Sequence, residues 1–410
     1  MNNNIKEWTV LLYANGHNEL EPETWQSVVD IQHNNIGKQI NVVVQVSREE
    51  RAIVKLLRPN FCVKSNDEWH GVRRYVFSDE ENNKFQEIEN INMADPQSLY
   101  DFIIWGVSNY PAQRYMISVS GHIYQFVGIC PDYSGNNPYM MGFPELSCCI
   151  QQACTRLNKT IDILILDTCY AATFEILYEF GRYDKLRIRN ILTYIGKGPL
   201  AGLPYANVLS ILNNSIYLST TDILKMLVNN IAIEKYFYGL IAFCLDYEKL
   251  KIIKQVFSNL ALTYLSCKRL YIKEITPEEL LSLYHCDYPW SLLLKPLHNL
   301  LKSLIIISRH ADNASSTVLP IHILYQKIPD QQRRKLYSRL SFAKQNYWAS
   351  LLCDLKFEEK VEIIPGGVKP LIITKNILTA FIYSSNGYLP ICDNEKLVNE
   401  LIKKKQWNLT

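Results

Sequence analysis

The chain has 410 residues, 48% hydrophobic and 20% charged, an ordinary folded composition and enough length for more than one structural unit. Lys and Arg number 43 against 40 acidic residues, a formal net charge of +3, which gives no electrostatic case for nucleic acid. No uninterrupted apolar stretch has the length of a membrane span, and the polar start, Met1 to Glu7, has no signal-like apolar core, so no membrane association and a cytoplasmic location are expected.

The first half alternates strand and helix signals. Trp8 to Tyr13 reads as a strand, and Glu21 to Gln32 as a helix with Pro22 near its start. Gln39 to Val46 is a second strand, apolar enough to be buried on both faces. Arg51 to Arg58 and Gly71 to Phe77 both alternate and predict a β-excursion. Asp95-Pro96 opens a helix that Tyr110-Pro111 stops.

Arg114 to Val119 is the third core strand and breaks into Ser120-Gly121-His122. A Gly-, Asn- and Pro-rich loop from Gly128 to Pro138 and a helix from Pro144 to Leu157 follow. Ile161 to Leu166 is a short β-branched strand that breaks into Asp167-Thr168-Cys169. Tyr170 to Phe180 reads as a helix, Arg187 to Tyr194 and Phe237 to Cys244 as strands, and Tyr247 to Leu265 as a helix. This alternation predicts an α/β fold, a doubly wound, mostly parallel six-stranded sheet flanked by helices.

Beyond Ser266 the signal changes. Pro277 to Tyr284, Trp290 to Leu304 and Asp330 to Leu352 look helical, with Leu319 to Tyr325 a strand between them. The expected division is residues 1–265 and a mainly helical region 266–410, packed on the first because no Gly/Ser linker separates them.

The 11 cysteines contain no C-x2-C pair, so neither zinc nor a disulfide framework is expected, and most read as buried free thiols. Cys169 is different. Groups at the carboxyl ends of neighbouring parallel strands converge on one crevice, and a thiol beside an imidazole there can be a nucleophile with its proton carrier. A helix starting just after Cys169 would favour the thiolate, and the Cys169 backbone N–H could meet a developing oxyanion. His122 would activate the thiol or protonate a leaving amine. His70, followed by Gly71, is the rival base, placed in the β-excursion; His17 and His322 are taken as structural.

These segments resemble the clostripain family of cysteine peptidases, which share a caspase-like fold. The likeness runs through Trp8 to Ala14, Asn18-Glu19-Leu20-Glu21, Asn41 to Gln45 and Trp69 to Tyr75. It continues in Met93 to Pro96, Leu99 to Trp105, Asn109 to Ala112, Phe143 to Leu146 and Ile163 to Cys169. The resemblance implies Cys169 as nucleophile, His122 as its catalytic partner, and the backbone N–H groups of Cys169 and Ile123 as the oxyanion hole. It also implies a substrate-binding role for Asp167 in a pocket for basic P1 side chains, with helix capping as the alternative for that residue.

The implied activity is a cysteine endopeptidase acting on polypeptides, with no cofactor required and calcium suggested by the resemblance alone. Two departures stand out: Ile123 replaces the glycine after the histidine, and Lys197 brings positive charge where relatives carry acid. They keep two alternatives open. One is an inactive caspase-like binding or regulatory protein; the other is a protease latent until an activating partner or effector binds.

Overall fold

The computed structural model describes residues 5–59, 69–78, 84–89, 91–231, 238–268, 291–309, 320–324, 328, 330–353, 369–386 and 391–409. Its strands begin with β1 (Lys6–Ala14), β2 (Ile40–Arg48), β3 (Gly71–Phe77), β4 (Lys84–Ile88) and β5 (Ala112–Ser120). The short strands β6 (Ile123–Tyr124), β7 (Gly128–Asp132) and β8 (Tyr139–Gly142) follow, then β9 (Ile163–Asp167) and β10 (Asn190–Tyr194). Last come β11 (Leu240–Cys244), β12 (Ile305–Arg309) and β13 (Leu371–Ile372).

Nine strands form the main sheet in the order β12-β11-β10-β9-β5-β1-β2-β3-β4. Its centre, from β10 across to β2, is parallel throughout, and antiparallel strands extend both edges. All six strands expected from the sequence are present; β3, one of the two excursion segments, joins the sheet with β4 and β12. A smaller sheet, β13-β8-β7-β6, stands beside the carboxyl ends of the main one.

The helices are α1 (Glu21–Gln32), α2 (Arg51–Leu57), α3 (Pro96–Asn109), α4 (Phe143–Leu157), α5 (Phe174–Gly181), α6 (Tyr205–Asn214) and α7 (Thr220–Ile231). They continue with α8 (Tyr247–Lys268), α9 (Ser291–Lys302), α10 (Gln331–Ser338), α11 (Tyr347–Cys353), α12 (Lys375–Asn386) and α13 (Ile391–Lys405).

Successive side chains of a strand point to opposite faces, and the central strands use both. Leu11, Tyr13, Ile117, Val119, Leu164 and Leu166 enter one core with Phe102 of α3 and Leu146 of α4. Val10, Leu12, Met116, Ile163 and Ile165 enter the other with Val28 of α1 and Leu209 of α6. Each such fully buried aliphatic side chain stabilises the fold by about 1.5–3 kcal/mol. The unbroken apolar run of the central strands therefore needs helices on both sides.

Four expectations are corrected. Arg51–Leu57 is a helix, because Ile53, Val54 and Leu57 recur at helical spacing and are the residues it buries. The helix after Cys169 starts only at Phe174, capped by the Thr173 side chain. Of the expected strand Leu319 to Tyr325, the described part forms a single bridge, His322 with Thr173. Trp290 to Leu304 and Asp330 to Leu352 contain shorter helices than read, with β12 following the first. Pro277 to Tyr284 lies outside the described residues.

Gly16 closes β1 where a Cβ would run into the backbone oxygen of Ser47. Gly16→Ala is expected to destabilise the chain by about 1–3 kcal/mol, seen as a lower thermal midpoint; an unchanged midpoint would contradict this packing.

Candidate active site

Strand order dictates who meets whom. β5 and β9 are parallel neighbours with Ser120 opposite Asp167, so Gly121-His122 and Thr168-Cys169 leave the sheet side by side. β1 flanks β5, with Ala14 opposite Ser120, and its following loop carries Glu19. β10 flanks β9, and its loop carries Lys197 and Gly198. These loops surround a cavity of about 840 Å³ lined by His122, Ile123, Asp167, Cys169, Lys197 and Gly198 among others. Volume and place at the strand ends are those of a ligand site.

His122 is held from the β1 side. Its Nε2 lies 3.1 Å from Glu19 Oε1, and the Glu19 side chain is fully buried. Burial alone would push the Glu19 carboxyl up, but the hydrogen bond and charge of His122, with the Glu19 backbone N–H, outweigh it and hold the group below its ordinary value. The Tyr133 hydroxyl, buried and outside normal hydrogen-bond geometry, is near enough to the same carboxylate to add to this. The loop carrying Glu19 is itself braced. Asn15 and Asn18 both donate to the Pro131 carbonyl, and His17 Nδ1 pairs with buried Asp132 at 2.9 Å. Asp132 also accepts from the Met93 and Ser134 backbone N–H groups.

Cys169 is half-buried, and burial pushes its thiol up; Gly198 N–H and the Lys197 charge pull the other way without cancelling the effect. The Gly198 N–H donates to Sγ at 3.2 Å, and the Tyr170 N–H donates to the Gly196 carbonyl at 2.7 Å. The loop carrying Cys169 is thus laced to the loop after β10. A helix dipole does not assist, since Tyr170 to Thr173 separate the sulfur from α5. A thiol pushed up by burial needs a base to become a nucleophile.

Ile123 lies on β6, the edge of the smaller sheet. The Cys130 N–H donates to the His122 carbonyl, so His122 and Cys130 form a bonded rung. The next pair, Ile123 with Ile129, is then a non-bonded rung whose N–H points away from β7. Loss of the expected glycine costs nothing here, because Ile123 sits in extended backbone and is absent from the positive-φ residues.

Asp167 caps no helix. Its Oδ1 accepts from the Tyr194 hydroxyl at 3.1 Å and the Leu203 N–H at 3.1 Å, and Oδ2 from Ser120 Oγ at 2.9 Å and the Tyr205 hydroxyl at 2.7 Å. Burial dominates these bonds and leaves its pKa raised. Gly202, at φ +68°, lies so close that a Cβ would come within 2.6 Å of Oδ2.

His70 is exposed just before β3 and is not among the residues lining the cavity. His322, read as structural, lines the cavity, and its backbone bonds to Ala172 and Phe174. Sequence reasoning missed Glu19; the available signal was a carboxylate in the loop after the strand next to the one bearing His122. Among the described residues, no three His, Cys, Asp or Glu side chains gather as a metal site. No described helix is long and apolar enough to cross a membrane.

A family model described as the clostripain family, Peptidase C11, matches residues 16–350. Among solved structures, an inactive zymogen C11 protease from Parabacteroides distasonis is similar at TM-score 0.56 and 13% identity, covering 84% of this chain and 99% of that one. A secreted C11 cysteine protease from Bacteroides thetaiotaomicron, in complex with an irreversible peptide inhibitor, is similar at TM-score 0.57 and 15% identity, covering 84% and 98%. At such identities the structural likeness speaks for the fold. No curated protein sequence matches the chain.

Glu175, at the start of α5, also lines the cavity. Its Oε1 accepts from the Leu324 N–H at 2.8 Å, and burial pushes its carboxyl from 4.5 up to about 7. The folded chain therefore binds this proton more tightly than the unfolded chain, so stability falls as pH rises through that window and stays low above it. The loss from this group is on the order of 3 kcal/mol. Thermal midpoints measured from pH 4.5 to 7 are expected to fall less steeply in Glu175→Gln than in wild type; parallel slopes would contradict the assignment.

Proposed function

The chain belongs to the clostripain family of cysteine peptidases, and from that premise we propose that it is an endopeptidase working through Cys169 and His122. The observation that carries this is the Glu19–His122 bond at 3.1 Å beside the cavity that Cys169 also lines.

Substrate binding places a peptide carbonyl at the mouth between the loops after β5 and β9. His122 takes the Cys169 proton as sulfur attacks the carbonyl carbon, and the oxyanion is met by the N–H groups of Ile123 and Cys169. Nε2 is engaged by Glu19, so Nδ1 is the nitrogen that exchanges the proton. The imidazolium protonates the leaving amine, the C–N bond breaks, and a thioester remains. Water, deprotonated by His122, then hydrolyses it and restores the thiol. Glu19 is a positioning residue: it orients the ring and steadies the positive charge that forms on it.

For the P1 side chain, the basic preference implied by resemblance rests on Asp167 as the acceptor. A carboxylate offers about four acceptor sites, and Asp167 already accepts four hydrogen bonds within the protein. Lys197, exposed and lining the same cavity, adds repulsion. Both observations favour an uncharged P1 residue over Arg or Lys. A second reading is a latent enzyme, favoured by the burial of the Cys169 thiol and its lacing to Gly198; turnover that appears only after an effector is added would support it.

Cys169→Ala and His122→Ala are expected to abolish cleavage of a peptide library, and Glu19→Gln to lower kcat about ten- to a hundredfold. Wild-type activity in His122→Ala would overturn the dyad. Lys197→Ser is expected to raise kcat/KM for Arg-P1 peptides relative to neutral ones; an unchanged ratio would remove Lys197 from specificity.

A further inference from the structure

The family match ends at residue 350, yet the segment beyond it reaches the catalytic histidine. Phe381 of α12 is buried, and its ring centroid lies 5.5 Å from that of His122, with the planes inclined by 36°. Tyr124 meets the same Phe381 ring edge-on at 5.9 Å. Leu378, one turn before, and Ile382, the next residue, are buried in the main core, so the helix holding Phe381 is anchored. β13 pairs with β8 just before it, and the Ile373 N–H donates to the Pro138 carbonyl at 2.8 Å.

The end of the chain supports the other partner of His122. Trp407, just past α13, donates from Nε1 to the Gly135 carbonyl at 2.9 Å and packs on Tyr133 at 5.9 Å. Tyr133 is the residue whose hydroxyl faces Glu19. Lys405 of α13 pairs with Glu49 at 3.0 Å, a carboxylate only 3% exposed.

A hydrogen bond at Nε2 fixes one atom of an imidazole but does not by itself set the plane of the ring. A second ring against its face restricts that plane. We propose that the C-terminal helical pair, through Phe381 against the His122 ring and Trp407 behind Tyr133 and Glu19, is the positioning element that fixes the catalytic imidazole for proton exchange with Cys169. The proposal rests on the dyad reading above. Phe381 touches no reacting atom and acts only through His122.

The test measures kcat, KM, thermal midpoint and the rate of Cys169 alkylation by iodoacetamide in the full chain. It compares wild type with Phe381→Ala and Phe381→Leu, with His122→Ala as reference. Phe381→Ala is expected to lower kcat about ten- to a hundredfold with KM within about twofold, and to slow alkylation towards the His122→Ala rate. Phe381→Leu keeps apolar volume, guards against loss of the fold, and is expected to fall between. Full kcat and full alkylation rate in either folded variant would overturn the positioning role. If His122→Ala itself alkylates and turns over like wild type, the dyad reading fails first and takes this proposal with it. Alkylation needs no turnover, so a latent enzyme is tested equally.

Discussion

The parallel register of four adjacent strands is the constraint from which the site follows. β10, β9, β5 and β1 lie side by side in that order, and their carboxyl ends deliver Gly198, Cys169, His122 and Glu19 in the same order. Thiol, imidazole and carboxylate are far apart in sequence, and come to the same end of the sheet only because Ser120 stands opposite Asp167 and Ala14 opposite Ser120. A one-residue slip would turn every side chain of a strand to the other face. Such a slip is opposed by two separate cores, since Leu164 and Ile165 belong to opposite sides of the sheet.

Two buried carboxylates, one against His122 and one two residues before Cys169, show how environment divides labour. Glu19 has a histidine partner and is held below its ordinary value despite full burial. Asp167 has only neutral donors, two tyrosines, a serine and a backbone N–H, and burial leaves it raised. The first can compensate an imidazolium as it forms. The second is a fixed part of the wall, tying β5, β9 and the loop after β10 to one another.

Much of this was legible in the chain. Apolar β-branched runs such as Ile161 to Leu166 gave the central strands, and their polar breaks located His122 and Cys169. What stayed hidden depends on neighbours that sequence does not name. Glu19 looked like part of a turn because its partner lies about 100 residues on, and only strand order joins them. Arg51 to Leu57 was misread because seven residues carry too few periods to separate alternation from a helix face. The helix expected directly after Cys169 starts late because Ala172 and Phe174 bond to His322, a pairing across about 150 residues. Phe381 and Trp407 carried no signal, one being an ordinary aromatic residue on a helix and the other lying just past a helix end.

The account requires one particular sulfur to be the nucleophile and one imidazole to activate it. The most direct measurement is mass-spectrometric mapping of the adduct formed by an irreversible peptide inhibitor with an electrophile at the P1 carbonyl. Modification confined to Cys169, with its rate collapsing when His122 is replaced, is the predicted result. An adduct on another cysteine, or equal labelling with and without the His122 imidazole, would contradict it.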